Sequence, residues 1–446
     1  MPAVAPPSRN DILIYAELLT NIRQVTIKAS LPTPADHTTT AEILDEGRKF
    51  RISHNGTSGE AVLPATAPVK GTLPLSHKGS TEVTWRFPLK PARVPERQFL
   101  PENQPLPWPA SVIKPGSPIS CRACGQIFIN SATVTTWKDL PSENWAEMME
   151  FWHCHKPIDH DTAEDGDLQH RGYGAASAIT AQPGVGFVDI TSLLFAEEDC
   201  GSIKSTLHMD GFLGRRLWLG SLFCTRLFRA ADRLGYPKRH MAICSRNSKF
   251  SSPNPLEKFD SSQDAIQATK EERFLTISCS NCAAEVGTFS VLASTVAFYK
   301  WQISCEISSI QKPPSSSDCL VATLLSTIAR SGSSKSVVMP RNMPLADNTL
   351  RHLQLWVLNN NVIFTGNQKS TPTSAVKVLF KEIEEKEALE LVESLSNDVQ
   401  DVNFPAQAIK VARETLTFSK YMLPSSERSF QEWQVGLLER WVPQPA

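Results

Sequence analysis

Apolar and polar positions alternate along the first ninety residues, the two-residue period of a half-buried β-strand. Val25 and Ile27 share one face in RQVTIKA, Phe50 and Ile52 in KFRIS, and Val83, Trp85 and Phe87 in TEVTWRF. Asn55-Gly56 follows the second run, a dipeptide that supplies the two positive-φ positions of a tight hairpin. Residues 1–90 are therefore expected to form an N-terminal β domain, an antiparallel sheet or sandwich. Between residues 88 and 118 stand nine prolines. Proline withholds a ladder donor, so 91–118 reads as an extended crossing segment whose Phe99, Leu106 and Trp108 seek burial. The next region, 119–310, shows two copies of one pattern: short apolar strand, Cys-x-x-Cys, second strand. Between them LPSENWAEMMEFWHCH predicts a helix, with Trp145, Met148, Met149 and Trp152 at i, i+3, i+4 and i+7. The polar stretch 156–185 reads as a loop, and 246–264 and 311–318 as mobile. In the C-terminal region, 320–446, RHLQLWVLNNNVIFTG reads as a hairpin turning at the Asn run. AVKVLFKEIEEKEALELVESL reads as a helix with Val376, Leu379, Phe380 and Ile383 in phase. The fold class expected is mainly β (α+β), with a few packed helices and a C-terminal α+β region.

Composition narrows the function. In 446 residues, Lys+Arg 45 balance Asp+Glu 46, for a formal net charge of −1. That argues against a nucleic-acid coat. The basic exception is 204–240, with eight Lys/Arg against two Asp, where Arg226, Arg229 and Arg233 lie off an apolar helical face. They form either the solvated side of an amphipathic helix or a docking surface for an acidic partner. No apolar run reaches the roughly 20 residues of a bilayer-spanning helix. The opening MPAVAPPSRNDILIY lacks a charged stretch followed by an apolar run. Reduced thiols in a cytoplasmic and nuclear setting are accordingly expected for the 10 cysteines, which makes metal ligation a better reading than disulfides.

Cys121-Arg-Ala-Cys124 and Cys279-Ser-Asn-Cys282 each follow an apolar strand and have a glycine soon after, Gly125 and Gly287. Two residues between thiolates let both sulfurs of a turn reach one ion, and two such turns complete a tetrahedral Zn2+ shell. Thioredoxin-type pairs sit in a βαβ setting, which neither copy shows. The long separation of the pairs implies a zinc-clamped fold rather than a compact finger. Cys154 and His155 are rival ligands, and Cys121, Cys124, Cys154 and His155 would make an equally good set. Cys154 is also a candidate nucleophile, but the C-terminal end of the expected helix carries the negative end of its dipole, which opposes a thiolate. Four thiolates leave no open position for a zinc-bound water, so metalloenzyme chemistry is not expected.

The 140–155 stretch resembles the hallmark of the HECT-like ubiquitin-conjugating enzyme (E2)-binding family, ubiquitin ligases of an unusual type. AELLTNIRQV, CRACG, EEDCG at 197–201, CSNCAAEVG, LRHLQLWVLNNNV, AVKVLFKEI and FQEWQVGLLERW fit it in order. The resemblance implies an E2-binding, ligase-like protein that promotes ubiquitin transfer from a charged E2 to a protein substrate, of cyclin type. It places structural zinc on Cys121, Cys124, Cys279 and Cys282, and makes Cys154 and His155 either ligands or a reactive pair. Fungal members imply the alternative, a non-catalytic interaction factor of pre-mRNA 3′-end cleavage and polyadenylation that binds a cleavage-factor subunit. No cysteine follows Cys319, so the C-terminal acceptor thiol that HECT chemistry needs has no counterpart here. Any ubiquitin thioester would have to use Cys154, Cys200, Cys224, Cys244, Cys305, Cys319 or a cysteine assigned to zinc.

Overall fold

The alternating runs of the N-terminal region become antiparallel strands in the computed structural model, which describes residues 11–75, 79–89, 105–140, 181–206, 274–308, 312–341, 351–394 and 398–442. Leu13–Leu19 pairs with Gln24–Ser30, and that strand with Glu82–Pro88 in the register Val25↔Phe87 and Ile27↔Trp85. Lys49–His54 turns into Thr57–Val62 through Asn55 and Gly56, at φ 49° and 77°. Both values are positive, as the sequence reading requires of this hairpin. The four-stranded sheet Thr57–Val62, Lys49–His54, Thr40–Leu44, Gly71–Leu73 closes over the first three strands. Between them lies one apolar core, in which the Phe50 and Trp85 rings meet at 5.1 Å.

The chain divides into two units, residues 1–109 with 309–446, and residues 110–308. In the first, a nine-stranded sheet runs Ser429–Phe430, Trp433–Glu439, Thr373–Ile383, His352–Gly366, Leu13–Leu19, Gln24–Ser30, Glu82–Pro88. Lys335–Pro340 and Val399–Phe404 extend it beside His352–Gly366. Residues 1–90 and 320–446, read apart along the sequence, thus share one sheet, joined at pairs such as Tyr15↔Gly366.

Three local readings are corrected here. His352–Gly366 is one strand with register irregularities at Asn359, not a hairpin. The Asn run is held by its own side chains: Asn359 Oδ1 accepts from Asn361 N at 2.9 Å, and Asn361 Oδ1 from Arg440 Nη1 at 3.0 Å. Residues 373–383 are a strand rather than the start of a helix, and Ala375, Leu379 and Ile383 are buried along with Val376, Val378 and Phe380. A strand covered on both faces shows a nearly continuous apolar run, which also satisfies helical spacing. Residues 315–318, expected to be mobile, form the capping box of helix α1, Ser316–Ser331: Ser315 Oγ accepts from Asp318 N, and the Asp318 carboxylate from Ser315 N. This reciprocal pair satisfies two helix-end donors and fixes the start of α1. Helices α2, Glu385–Glu393, and α3, Ala406–Ser419, complete the described helices. Helices α1 and α3 pack on Trp433–Glu439, while α2 covers Val337, Ile383 and Val399.

The second unit is also mostly antiparallel. Its seven-stranded sheet runs Thr136–Asp139, Val185–Val188, Ser192–Ala196, Thr295–Tyr299, Glu285–Ser290, Phe274–Cys279, Ile203–Thr206. A three-stranded sheet joins Ile303–Ser304, Ile119–Cys121 and Ile127–Ile129. Phe128 of the small sheet stacks on Phe298 of the large one at 4.9 Å, with Phe195 5.9 Å beyond. Each sheet delivers one Cys-x-x-Cys turn, at the ends of Ile119–Cys121 and Phe274–Cys279. The predicted 140–155 helix, apart from Leu140, lies outside the described residues, as does Phe99. Trp108 is buried.

Candidate metal centre

Each turn is built the same way. Cys121 N donates to Gln126 O at 2.8 Å and Gly125 N to Cys121 O at 2.8 Å; Cys279 N donates to Ala284 O at 2.9 Å and Ala283 N to Cys279 O at 3.0 Å. The residue after the second cysteine is left-handed in both, Gly125 at φ 76° and Ala283 at φ 58°. Ala283, and not Gly287, is therefore the counterpart of Gly125. Gly287 lies inside Glu285–Ser290, where a Cβ would stand 2.0 Å from Ala297 O; it is required by the closeness of the neighbouring strand. A left-handed alanine carries Cβ strain of about 1–2 kcal/mol. Part of the gain from relieving it is lost to the greater chain entropy of glycine. Ala283→Gly is accordingly expected to stabilise the protein by about 0.5–1 kcal/mol, read as a raised denaturant midpoint at unchanged slope. An unchanged or lowered midpoint would count against this local reading.

The two turns meet. Cys121 Sγ lies 3.7 Å from Cys282 Sγ, and Cys124 Sγ 3.6 Å from Cys279 Sγ. All four sulfurs lie within 4.8 Å of one another. An ion with zinc-like bonds of about 2.3 Å to sulfur needs tetrahedral edges of about 3.8 Å. The cluster fits that shell with sub-ångström adjustment. Cys121 and Cys279 are buried and Cys282 is exposed, so the set reaches from the interior to the surface.

The sulfurs differ in their surroundings. Burial pushes the Cys121 thiol up to about 12, and burial also raises Cys279. The Gln126 N–H and the Asn281 side chain stabilise the thiolate of Cys124 and bring it down to about 6. A metal entering the cluster must therefore expel protons from the two buried thiols, which couples its affinity to pH. Arg122, between the first two cysteines, anchors the turn: its Nε donates to Ile303 O at 2.9 Å, its Nη2 to Lys300 O at 2.7 Å, and its backbone N to Gln302 O at 2.9 Å. Nothing in the residue order marks Arg122 or Asn281 for these roles; only the spatial meeting of the turns does.

Of the residues singled out in the sequence, Cys121, Cys124, Cys279 and Cys282 come together. Cys154, His155, Arg226, Arg229 and Arg233 lie outside the described residues, as do Cys224 and Cys244. Three other cysteines are described and lie outside the cluster. Cys319 is fully buried on α1. Burial pushes the Cys305 thiol up to about 12 and raises Cys200 further, with Asp199 and Glu197 adding to the rise at Cys200. Such thiols are protonated at neutral pH and make poor nucleophiles.

The fold and the cluster define a mostly antiparallel β protein with a four-cysteine group able to hold a metal ion. The chain belongs to the HECT-like ubiquitin-conjugating enzyme (E2)-binding family, whose match covers residues 17–435. It is also similar, over short segments, to two yeast proteins. Uncharacterized protein YJR141W of Saccharomyces cerevisiae is 45% identical over 47 residues, 10% of this chain and 13% of the relative. Uncharacterized protein C1734.10c of Schizosaccharomyces pombe is 43% identical over 54 residues, 11% of this chain and 15% of the relative. The matched segments thus span well under two thirds of either relative. No solved structure gives a significant match.

Proposed function

We propose that this protein binds ubiquitin-charged E2 enzymes and acts as a ubiquitin ligase that holds the E2 thioester in a reactive pose toward a protein substrate. The family match over residues 17–435 carries the reading. Holding two reactants in attack geometry accelerates acyl transfer without any nucleophile on the ligase. The raised thiols of Cys200 and Cys305 and the full burial of Cys319 on α1 favour that route over a covalent relay. In this scheme Cys121, Cys124, Cys279 and Cys282 hold a structural zinc ion that clamps the two sheets of residues 110–308. The setting proposed is the reducing cytosol or nucleus, where such thiolates persist.

The test uses the purified full chain, a panel of ubiquitin-charged E2 enzymes, and non-reducing gels that follow thioester loss. One or more E2 enzymes should discharge at least about tenfold faster, with no ubiquitin adduct on the protein and the same rate in a Cys154→Ala variant. A reductant-sensitive adduct that disappears in Cys154→Ala would replace positioning with covalent relay. Absence of binding and of discharge across the panel would overturn the ligase reading.

A further inference from the structure

We infer that helix α2 is an acid-released cover, closed over two buried polar side chains, His352 and Gln354, whose hydrogen-bonding capacity the closed state leaves unmet. His352 stands opposite Ile383, and Gln354 opposite Val337, in the registers of the neighbouring strands. Directly opposed residues of antiparallel strands share a face. Val337 and Ile383 pack with Ala388, Leu391 and Val392 of α2. His352 and Gln354 therefore lie in the layer that α2 closes over. They are only 3% and 5% exposed. Yet His352 Nδ1 and Gln354 Oε1 have no hydrogen-bond partner among the described residues.

The cover is lightly held. α2 has nine residues, its Glu384 cap makes no side-chain hydrogen bond, and Ala388 is its one buried residue. A helix this short is marginal without packing. Its ionic anchors reach the surface: Arg351 Nη1 to Glu384 Oε1 at 2.9 Å, and Lys381 Nζ to Glu387 Oε1 at 3.1 Å. A polar group buried without a partner has lost its hydration for nothing in return. Lifting α2 gives His352 and Gln354 back to water, which favours opening. Protonation adds a second drive. Burial pulls the His352 imidazole below its ordinary 6.5, against a smaller opposing pull from Glu385. Other ionisable groups of the surrounding elements are engaged elsewhere: Lys386 with Glu390, Arg413 with Glu382, and Lys335 over the Trp356 ring. Arg341, Glu393 and Asp401 are exposed. The imidazole is thus neutral when covered and free to take a proton when uncovered. Its contribution to closure is full above 6.5 and is lost as pH falls below 6.5, until the lowered value is reached. Release of α2 bares an apolar strip, Val337, Ile383 and Val399, with His352 and Gln354 beside it.

Hydrogen exchange of the full-length chain, corrected for the intrinsic rate at each pH, reads the opening directly. Between about pH 7.5 and 5, amides of residues 384–394 should lose protection by up to about thirtyfold, the proton-linked limit for an imidazole of ordinary pKa about 6.5. Protection in α1 and α3 should hold over the same range. His352→Phe fills the site without a titrating group. It should raise the protection of α2 and flatten its pH dependence. Gln354→Met, close in size and apolar, should raise protection roughly tenfold at every pH and leave the pH dependence intact. The parent profile and Gln354→Met decide the matter even if His352→Phe does not fold. A parent profile flat across this range, a pH dependence that survives in His352→Phe, or protection in Gln354→Met no higher than in the parent would overturn the inference. So would an acid loss shared equally by α1 and α3, which marks unfolding of the unit rather than release of its cover.

Discussion

Replacing Cys279 with serine is expected to abolish metal binding and to unfold residues 110–308 under conditions where the parent is native. A serine hydroxyl stays protonated and cannot replace a thiolate ligand. The ion would then face three sulfurs and a gap on the buried side, because the Cys279 thiol is buried. In structural zinc sites the binding free energy is folding free energy, about 10–16 kcal/mol in small zinc peptides. A whole domain is stable by only about 5–15 kcal/mol. A metal contribution of that size would equal the whole margin, and its loss could not be absorbed locally. Here the ion would join a three-stranded sheet to a seven-stranded one, beside the Phe128–Phe298 stack. Hydrogen exchange resolved by peptide should show protection lost across 110–308 in Cys279→Ser, with metal content near zero. A variant that keeps its protection without metal would contradict the clamp.

Lys377→Met is expected to remove about 3–5 kcal/mol from the unit formed by residues 1–109 and 309–446, the usual cost of stranding a buried charge. Lys377 Nζ donates to Glu17 Oε2 at 3.1 Å and Glu427 Oε2 at 3.3 Å, and the Tyr15 hydroxyl donates to Glu17 Oε2 at 2.7 Å. Lys28 pairs with the other oxygen of Glu427. Glu17 is only 5% exposed, so its carboxylate has little water to fall back on. Adding Glu17→Gln to Lys377→Met should recover part of the loss, since the stranded charge goes with it. Urea titration of the single and double variants measures both terms.

The same network sets an acid limit. Burial pushes the Glu427 carboxyl up, but Lys377 and Lys28 outweigh it and hold the group below its ordinary 4.5. A depressed carboxylate contributes stability that is present above 4.5 and is lost as pH falls through the lowered value. The parent should therefore weaken as pH drops below about 4.5. In Lys377→Met that loss should be smaller and should level off at a higher pH, because half of the cationic support is gone while the unfolded-state carboxyl that sets its onset is unchanged.

Local signals in the sequence were sufficient where one short segment decides the structure. Strand alternation around Ile27, Ile52 and Trp85, the Asn55-Gly56 hairpin and the two Cys-x-x-Cys turns all belong to that kind. Long-range pairing left no such mark. Nothing near Tyr15 points to Gly366, and nothing near Cys121 selects Cys282 as its neighbour. Burial on both faces erased the alternation of Thr373–Ile383 and let it imitate a helix. The Asn359–Asn361 run looked like a turn because its side-chain partners, Arg440 among them, lie far away in sequence. Gly287 misled for the reverse reason: a glycine near a metal turn can serve the neighbouring strand instead. The chemistry of the site was legible as ligand type and spacing, while its second layer, Arg122 and Asn281, became visible only when the turns met.

Native mass spectrometry of the purified full-length chain, compared with its mass under denaturing conditions, tests the four-cysteine clamp most directly. The expected result is one zinc ion per chain under native conditions, accompanied by the loss of thiol protons and released by acid. A metal-free native mass from protein that folds cooperatively and keeps residues 110–308 protected would contradict it.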